Sequence, residues 1–339
     1  MKNKELLKCA ILCFTALFLI LHIADNCQAG QFTFVKGWGY KITIPRNIDK
    51  QGFAGPSGLA IDSSGTLYVA DNQNHRIQEY DTDGNWLGIL TECPDLIISD
   101  IRHCSDPGEI KGPTDVAVDP TGQYVYVVTG HWNMISKFST TQAAPNNFIL
   151  SWGFHPVQNN VVADFMREPA GVAVDEAGDV YVADIWGSVI WKFDSEGNLI
   201  SMLTHPYLSG DDFRPTGIDL GKKGIYVTDY LNGLVYRFAY NGHLKESWGV
   251  EGTGIGEFTY PASLEVDDAL ETNSDDTIYV ADTLNNRIQA LNNGSWTAYN
   301  GGAGEGSIFR PFGVTTDSSG NVYVADTFNH RMLKYTYIP

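Results

Sequence analysis

This 339-residue chain lacks a long apolar run, a basic surplus, more than a few cysteines and any convincing amphipathic helical period. The longest apolar run, Cys9 to Ile23, falls short of the ~20 residues that a bilayer-spanning helix needs. It follows Lys2, Lys4 and Lys8 and leads into the small-x-small step Cys27-Gln28-Ala29. Residues 1–29 are therefore expected to be a secretory signal peptide, and the protein to be secreted or periplasmic. A retained anchor is the alternative. Lysine and arginine number 22 against 40 aspartates and glutamates, a net charge of −18. The leader's three lysines depart with Glu5 and Asp25, one positive charge net, leaving −19. Such a balance argues against nucleic acid, whose binding is dominated by cation–phosphate contacts, and against anionic membrane surfaces. Of five cysteines, three lie in the leader; Cys93 and Cys104 remain, in the insertion CPDLIISDIRHC. In an oxidising compartment that pair is expected to form a disulfide, since a metal site using His103 would lack ligands.

What the chain has instead is repetition. LYVAD ending at Asp71, VYVVT at Thr129, VYVAD at Asp184, IYVTD at Asp229, IYVAD at Asp282 and VYVAD at Asp326 are near-copies. Each follows a proline-led apolar run starting at Pro56, Pro113, Pro169, Pro215, Pro261 or Pro311, with steps of 57, 56, 46, 46 and 50 residues. Within a repeat, short β-branched and aromatic runs alternate with Asp/Ser/Gly turns, which reads as four antiparallel strands. Four-stranded units at this period predict an all-β, six-bladed β-propeller over residues 30–339, a single domain. A lone four-stranded sheet cannot cover both its apolar faces, whereas radial stacking buries each against the next blade.

The sixth repeat ends after its third strand, MLKYTYI, so its outer strand is missing from the C-terminal end. FTFVKGWG, Phe32 to Gly39, ends like the fourth strands LSWG and ESWG, and is expected to supply it. Pairing of this kind closes the ring and removes two loose edges. The domain is read as a monomer.

Three repeats complete a tighter motif: Asp71-x-x-Asn74-His75-Arg76, Asp282-x-x-Asn285-Asn286-Arg287 and Asp326-x-x-Asn329-His330-Arg331. Together with the P-x-G lead-in, this resembles the NHL repeat family over Gly52 to Pro339, which implies a six-bladed propeller. The Asp, Asn and Arg of each motif have two readings, a binding triad or a structural tie across the turn, and the structural one is preferred. Met134, Val189 and Leu234 stand where the other three repeats would have Arg, so those blades are expected to be held by packing.

NHL-like propellers are of several functional kinds. One resembles the lyase that completes peptide amidation, with zinc held by histidines directly after the strand-leading prolines. Here those residues are Ser57, Thr114, Ala170, Thr216, Ala262 and Phe312, and zinc needs about three protein ligands. Lactonase-like propellers hold a divalent cation in the central channel. Asp115 replaces the usual Gly after its proline, but one carboxylate does not make a site. RNA-binding relatives use a basic face that this chain lacks. The remaining kind is an extracytoplasmic recognition platform, and the expectation is a non-catalytic binder of a peptide, glycan or protein. A metal-dependent lyase or hydrolase with a channel site is the alternative. No cofactor is expected, with a structural or channel-bound calcium ion as the open alternative.

The proline turns and the turns after YVAD fall on one face of the disc. The residues expected to bind ligand there are His131, Trp132, Trp186, Tyr230, Phe312 and Phe328, aromatic groups that suit loop-borne recognition. Each has a rival reading as inter-blade packing. Trp132 and Trp186 are the foremost candidates for exposure, while Trp38, Trp152 and Trp248 are expected in the core. Asp81 to Asn85 lacks the distal Glu of a calcium loop and reads as a hairpin turn. Gly252 to Phe258 has no helix after it and reads as a linker.

Overall fold

Each proline-led run and the YVAD-type run after it form the inner hairpin of a blade. The computed structural model describes residues 31–41, 51–93, 107–144, 146–153, 166–208, 212–267, 276–302 and 304–338. The expected leader and Cys104 lie outside them, whereas Cys93 is buried just after an outer strand. A leading strand β1 (Gln31–Trp38) is followed by blade 1: β2 (Pro56–Ile61), β3 (Thr66–Asp71), β4 (Arg76–Asp81) and β5 (Trp86–Glu92). Blade 2 holds β6 (Pro113–Val118), β7 (Tyr124–Thr129), β8 (Met134–Ser139) and β9 (Phe148–Gly153). Blade 3 holds β10 (Pro169–Val174), β11 (Val180–Asp184), β12 (Val189–Phe193) and β13 (Leu199–Leu203). Blade 4 holds β14 (Pro215–Gly221), β15 (Gly224–Asp229), β16 (Leu234–Phe238) and β17 (Leu244–Gly249). Blade 5 holds β18 (Pro261–Asp267), β19 (Thr277–Asp282), β20 (Arg287–Asn292) and β21 (Ser295–Tyr299). Blade 6 holds β22 (Gly313–Thr316), β23 (Asn321–Asp326) and β24 (Arg331–Ile338), and β1 is its fourth strand. No helix among the described residues is long and apolar enough to cross a membrane.

The two-residue period of the YVAD strands explains the stacking. In β19, Tyr279 and Ala281 pack into blade 6 beside Val314, Val324 and Leu333. Ile278 and Val280 point the other way, into blade 4 beside Tyr226 and Val235. The core is thus a set of inter-blade layers, and burying a Val or Ile in one contributes about 1.5–3 kcal/mol. Closure obeys the same logic. β1 runs antiparallel to β24, with Phe32 opposite Tyr337 and Trp38 opposite Met332. Phe32 also stacks on Tyr299 of blade 5, ring centroids 5.6 Å apart. Of the three strand-ending tryptophans, Trp152 is buried, while Trp38 and Trp248 are half-buried against the core.

Blades 1, 5 and 6 are tied across the turn by their Asp and Arg. Arg76 Nε donates to Asp71 Oδ2 at 2.9 Å, Arg287 to Asp282 at 2.7 Å and Arg331 to Asp326 at 2.7 Å. Asn74, Asn285 and Asn329 donate to the same carboxylates. Blades 3 and 4, expected to rely on packing, use further hydrogen bonds instead. Asp184 accepts from the Arg167, Glu168 and Gly187 N–H groups and from Trp191 Nε1. Asp229 accepts from the Leu231 and Asn232 N–H groups and the Asn232 amide. A buried carboxylate demands donors whether or not an arginine is at hand.

Candidate functional site

The upper face is built by register. Pro56 pairs with Asp71, Pro113 with Thr129, Pro169 with Asp184, Pro215 with Asp229 and Pro261 with Asp282. Inner-strand entrances and the turns leaving the second strands therefore share one rim. Ties between blades run around it. Hydroxyls of Ser57, Thr114 and Thr216 donate to the carbonyls of Pro113, Pro169 and Pro261 in the next blade. Thr283 and Thr327 do the same for Pro311 and Pro56, both at 2.7 Å.

The second residue of each turn after the Asp stands clear of these ties. In blades 3 to 6 these are Trp186, Leu231, Leu284 and Phe328, with exposures of 50, 47, 38 and 47%. Four successive blades thus present a large apolar side chain at one structural position. Of the sequence-derived candidates, Trp186 and Phe328 belong to this crescent. Phe312 is exposed near Phe328, centroids 6.5 Å apart and nearly parallel. Tyr230 is half-buried and packs on Tyr260 at 4.4 Å. Trp132 is half-buried and has partners, so its loop does not present it as freely as Trp186. His131 lies in the one-turn 3-10 helix Gly130–Trp132, and its side chain is outside the described set.

Sequence reading passed over Leu231 and Leu284, and also the residue before each inner-strand proline. Counting from the Asp, or back from the proline, would have found both sets. Arg214 lies over the Trp186 ring at 4.5 Å, but its guanidinium also donates to Ile185 O and to Ser188 Oγ at 2.9 Å. Arg310 lies over Phe328 at 4.9 Å and near Phe309 at 5.8 Å. Tyr260 and Arg310 have φ of +54° and +49°, a left-handed backbone that costs a residue with a Cβ roughly 1–2 kcal/mol.

The central channel encloses a cavity of about 210 Å³ between the inner strands. Three carboxyls line it, Asp115, Asp219 and Glu265, where sequence reading noted only the first. Each reaches to the next blade: Asp115 accepts from Val172 N at 3.0 Å, Asp219 from Val266 N at 2.7 Å, and Glu265 from Thr316 N at 3.2 Å. Burial pushes Asp115 up to about 7, with repulsion from Asp219 adding to it. Glu265 is raised for the same two reasons. The glycines beside them are required by close approach. A Cβ on Gly58 would strike Asp115, and one on Gly217 would lie 2.6 Å from the Ser263 Cα. Among the described residues, no group of three or more His, Cys, Asp or Glu is arranged to hold a metal ion.

Comparison with known proteins agrees with this architecture. The matching family model is the NHL repeat, at residues 53–80 and 310–335, which are parts of blades 1 and 6. Peptidyl-glycine alpha-amidating monooxygenase A of Xenopus laevis is 27% identical over 257 residues, covering 72% of this chain and 25% of that protein. The chain thus spans about a quarter of that relative's length. NHL repeat-containing protein 3 of Homo sapiens is 30% identical over 140 residues, 41% of this chain and 35% of that protein. Among solved structures, a Bacteroides thetaiotaomicron protein of unknown function superimposes with a TM-score of 0.66 at 16% identity, covering 91% of this chain and 76% of that one. That likeness concerns the fold alone. The repeated motif, the family-model matches in blades 1 and 6 and these relatives together support the NHL repeat family.

Proposed function

We propose that the propeller is a secreted or periplasmic binding platform that engages a peptide, glycan or protein partner through its upper face, without catalysis. The observation that carries this is the crescent of Trp186, Leu231, Leu284 and Phe328, four large apolar side chains left in solvent by successive blades. Large apolar side chains repeated at one exposed loop position offer contact area for recognition. The disulfide between Cys93 and Cys104 belongs to the same extracytoplasmic reading. The test is the double substitution Trp186→Ala, Phe328→Ala, probed by affinity capture from the extracytoplasmic fraction. Partners retained by the unaltered chain should be lost, with the melting temperature changed by no more than about 2 °C, because exposed side chains contribute little to stability. Unchanged capture would remove the upper face from consideration.

A second reading, a metal-dependent lyase or hydrolase, is favoured by the amidating relatives and by the acidic channel. Against it, each channel carboxyl accepts a backbone N–H of the neighbouring blade. The metal content of protein purified without chelator discriminates the two.

A further inference from the structure

In four blades the residue before the inner-strand proline is left-handed: Gly55, Gly112, Tyr260 and Arg310, at φ +62°, +59°, +54° and +49°. In three of these its N–H is held by the preceding blade. Gly55 donates to His330 Nδ1 at 3.0 Å, Gly112 to His75 Nδ1 at 2.8 Å and Arg310 to Asn286 Oδ1 at 2.9 Å. The backbone task is therefore done with glycine in two blades, and the Arg310 side chain is not needed for it. Arginine is strained there, and backbone strain of this kind clusters at functional sites.

The guanidinium has no fold-related use either. Arg214, its counterpart in blade 4, is buried and bonded to Ile185 and Ser188. Arg310 makes no hydrogen bond or ion pair through its guanidinium among the described residues, only the ring contacts with Phe328 and Phe309. In a chain of net charge −18, a cation without a carboxylate stands among three exposed phenylalanines, Phe309, Phe312 and Phe328. We propose that these four residues form a receptor site for a peptide segment carrying a single carboxylate beside an apolar side chain. A planar guanidinium offers paired N–H donors to a carboxylate, and the rings offer apolar contact to its neighbour. The acidic surroundings repel polyanions, so the ligand is singly rather than multiply charged. This rests on the reading of the upper face as a binding platform.

The test uses the full chain and a labelled hexapeptide library with one fixed Glu, or Gln in its place, among degenerate apolar positions, read by fluorescence anisotropy. The Glu set should yield peptides bound at least tenfold more tightly than their Gln counterparts. Arg310→Gly should erase that difference and leave the melting temperature equal or higher, since it restores the residue found at Gly55 and Gly112. Arg310→Lys should keep only part of the preference, having lost the paired donors. Equal binding of Glu and Gln peptides would overturn this site while sparing the platform reading, and no binding by either set overturns the site as well. A marked drop in melting temperature for Arg310→Gly would make the arginine structural and also overturn it. Selective binding of a glucuronate oligosaccharide in place of the peptides would overturn the occupant.

Discussion

At the residue scale, the motif D-x-x-N-H-R was legible as a repeat, but the task of its histidine was not. Sequence spacing shows neighbours along the strand, whereas His75 and His330 act across the blade junction. Each sits in a left-handed turn position, φ +57° and +54°, and accepts the N–H of a residue in the next blade. Asn286 does the same work in blade 5, and Asn tolerates that backbone well. Burial lowers the His330 pKa below its ordinary value, Lys41 lowers it further, and Asp71 opposes both. The neutral ring is therefore the folded form, so its stabilising bond is fully present above about pH 6.5 and is lost as pH falls through the depressed value. His330→Asn should melt within about 1 °C of the unaltered chain at pH 7.5 and lose less stability on acidification to pH 5. His330→Ala should be less stable at pH 7.5 by about 1–2 kcal/mol, the sum of a lost bond and a worse left-handed residue. Melting curves at the two pH values separate these outcomes.

At the element scale, the blade was almost wholly readable, because alternating Tyr, Val and Ala fix which face of each strand is buried. The substitutes for the missing arginines were not readable. Trp191 occupies the third-strand position that Gln78 and Gln289 hold in their blades, and all three donate to the strand-ending Asp. Nothing in a tryptophan's hydropathy announces that its indole N–H will serve a buried carboxylate. The contrast between an arginine paired in the core and one paired at the surface is sharp. Arg76 and Asp71 are 2% and 0% exposed, and burial raises the Asp71 pKa despite the opposing pull of Arg76. Arg76→Ala would leave a carboxyl without its cation and should cost about 3–5 kcal/mol. Arg237→Ala, which frees the half-exposed Glu246 and one surface carbonyl, that of Lys223, should cost much less, about 1 kcal/mol. Urea unfolding midpoints of the two variants give the comparison directly.

At the scale of the whole molecule, blade number and ring closure follow from counting, but the channel does not, because it is lined by residues that converge from six separate repeats. Asp115, Asp219 and Glu265 come together only when the ring closes, and their mutual repulsion is a property of the closed ring. Asp115 shows the consequence most plainly. Its folded pKa is about 7 against 3.8 for the free side chain, so the folded protein holds a proton that the unfolded chain releases. The linkage then runs opposite to that of a salt-bridged carboxylate. Below about pH 4 the side chain costs nothing, stability falls as pH rises from there to 7, and the full penalty persists above 7. Asp115 is mostly buried but keeps a partial opening to the channel, so solvent screens part of the effect, and about 1–2 kcal/mol is expected at pH 8. Asp115→Asn keeps an oxygen for the Val172 N–H and removes the charge. It should raise the melting temperature at pH 8 by roughly 2–3 °C and have little effect at pH 4. A variant that melts lower at both pH values would mean that the carboxylate is held by donors strong enough to keep it ionised, and the channel would then be a site that favours negative charge.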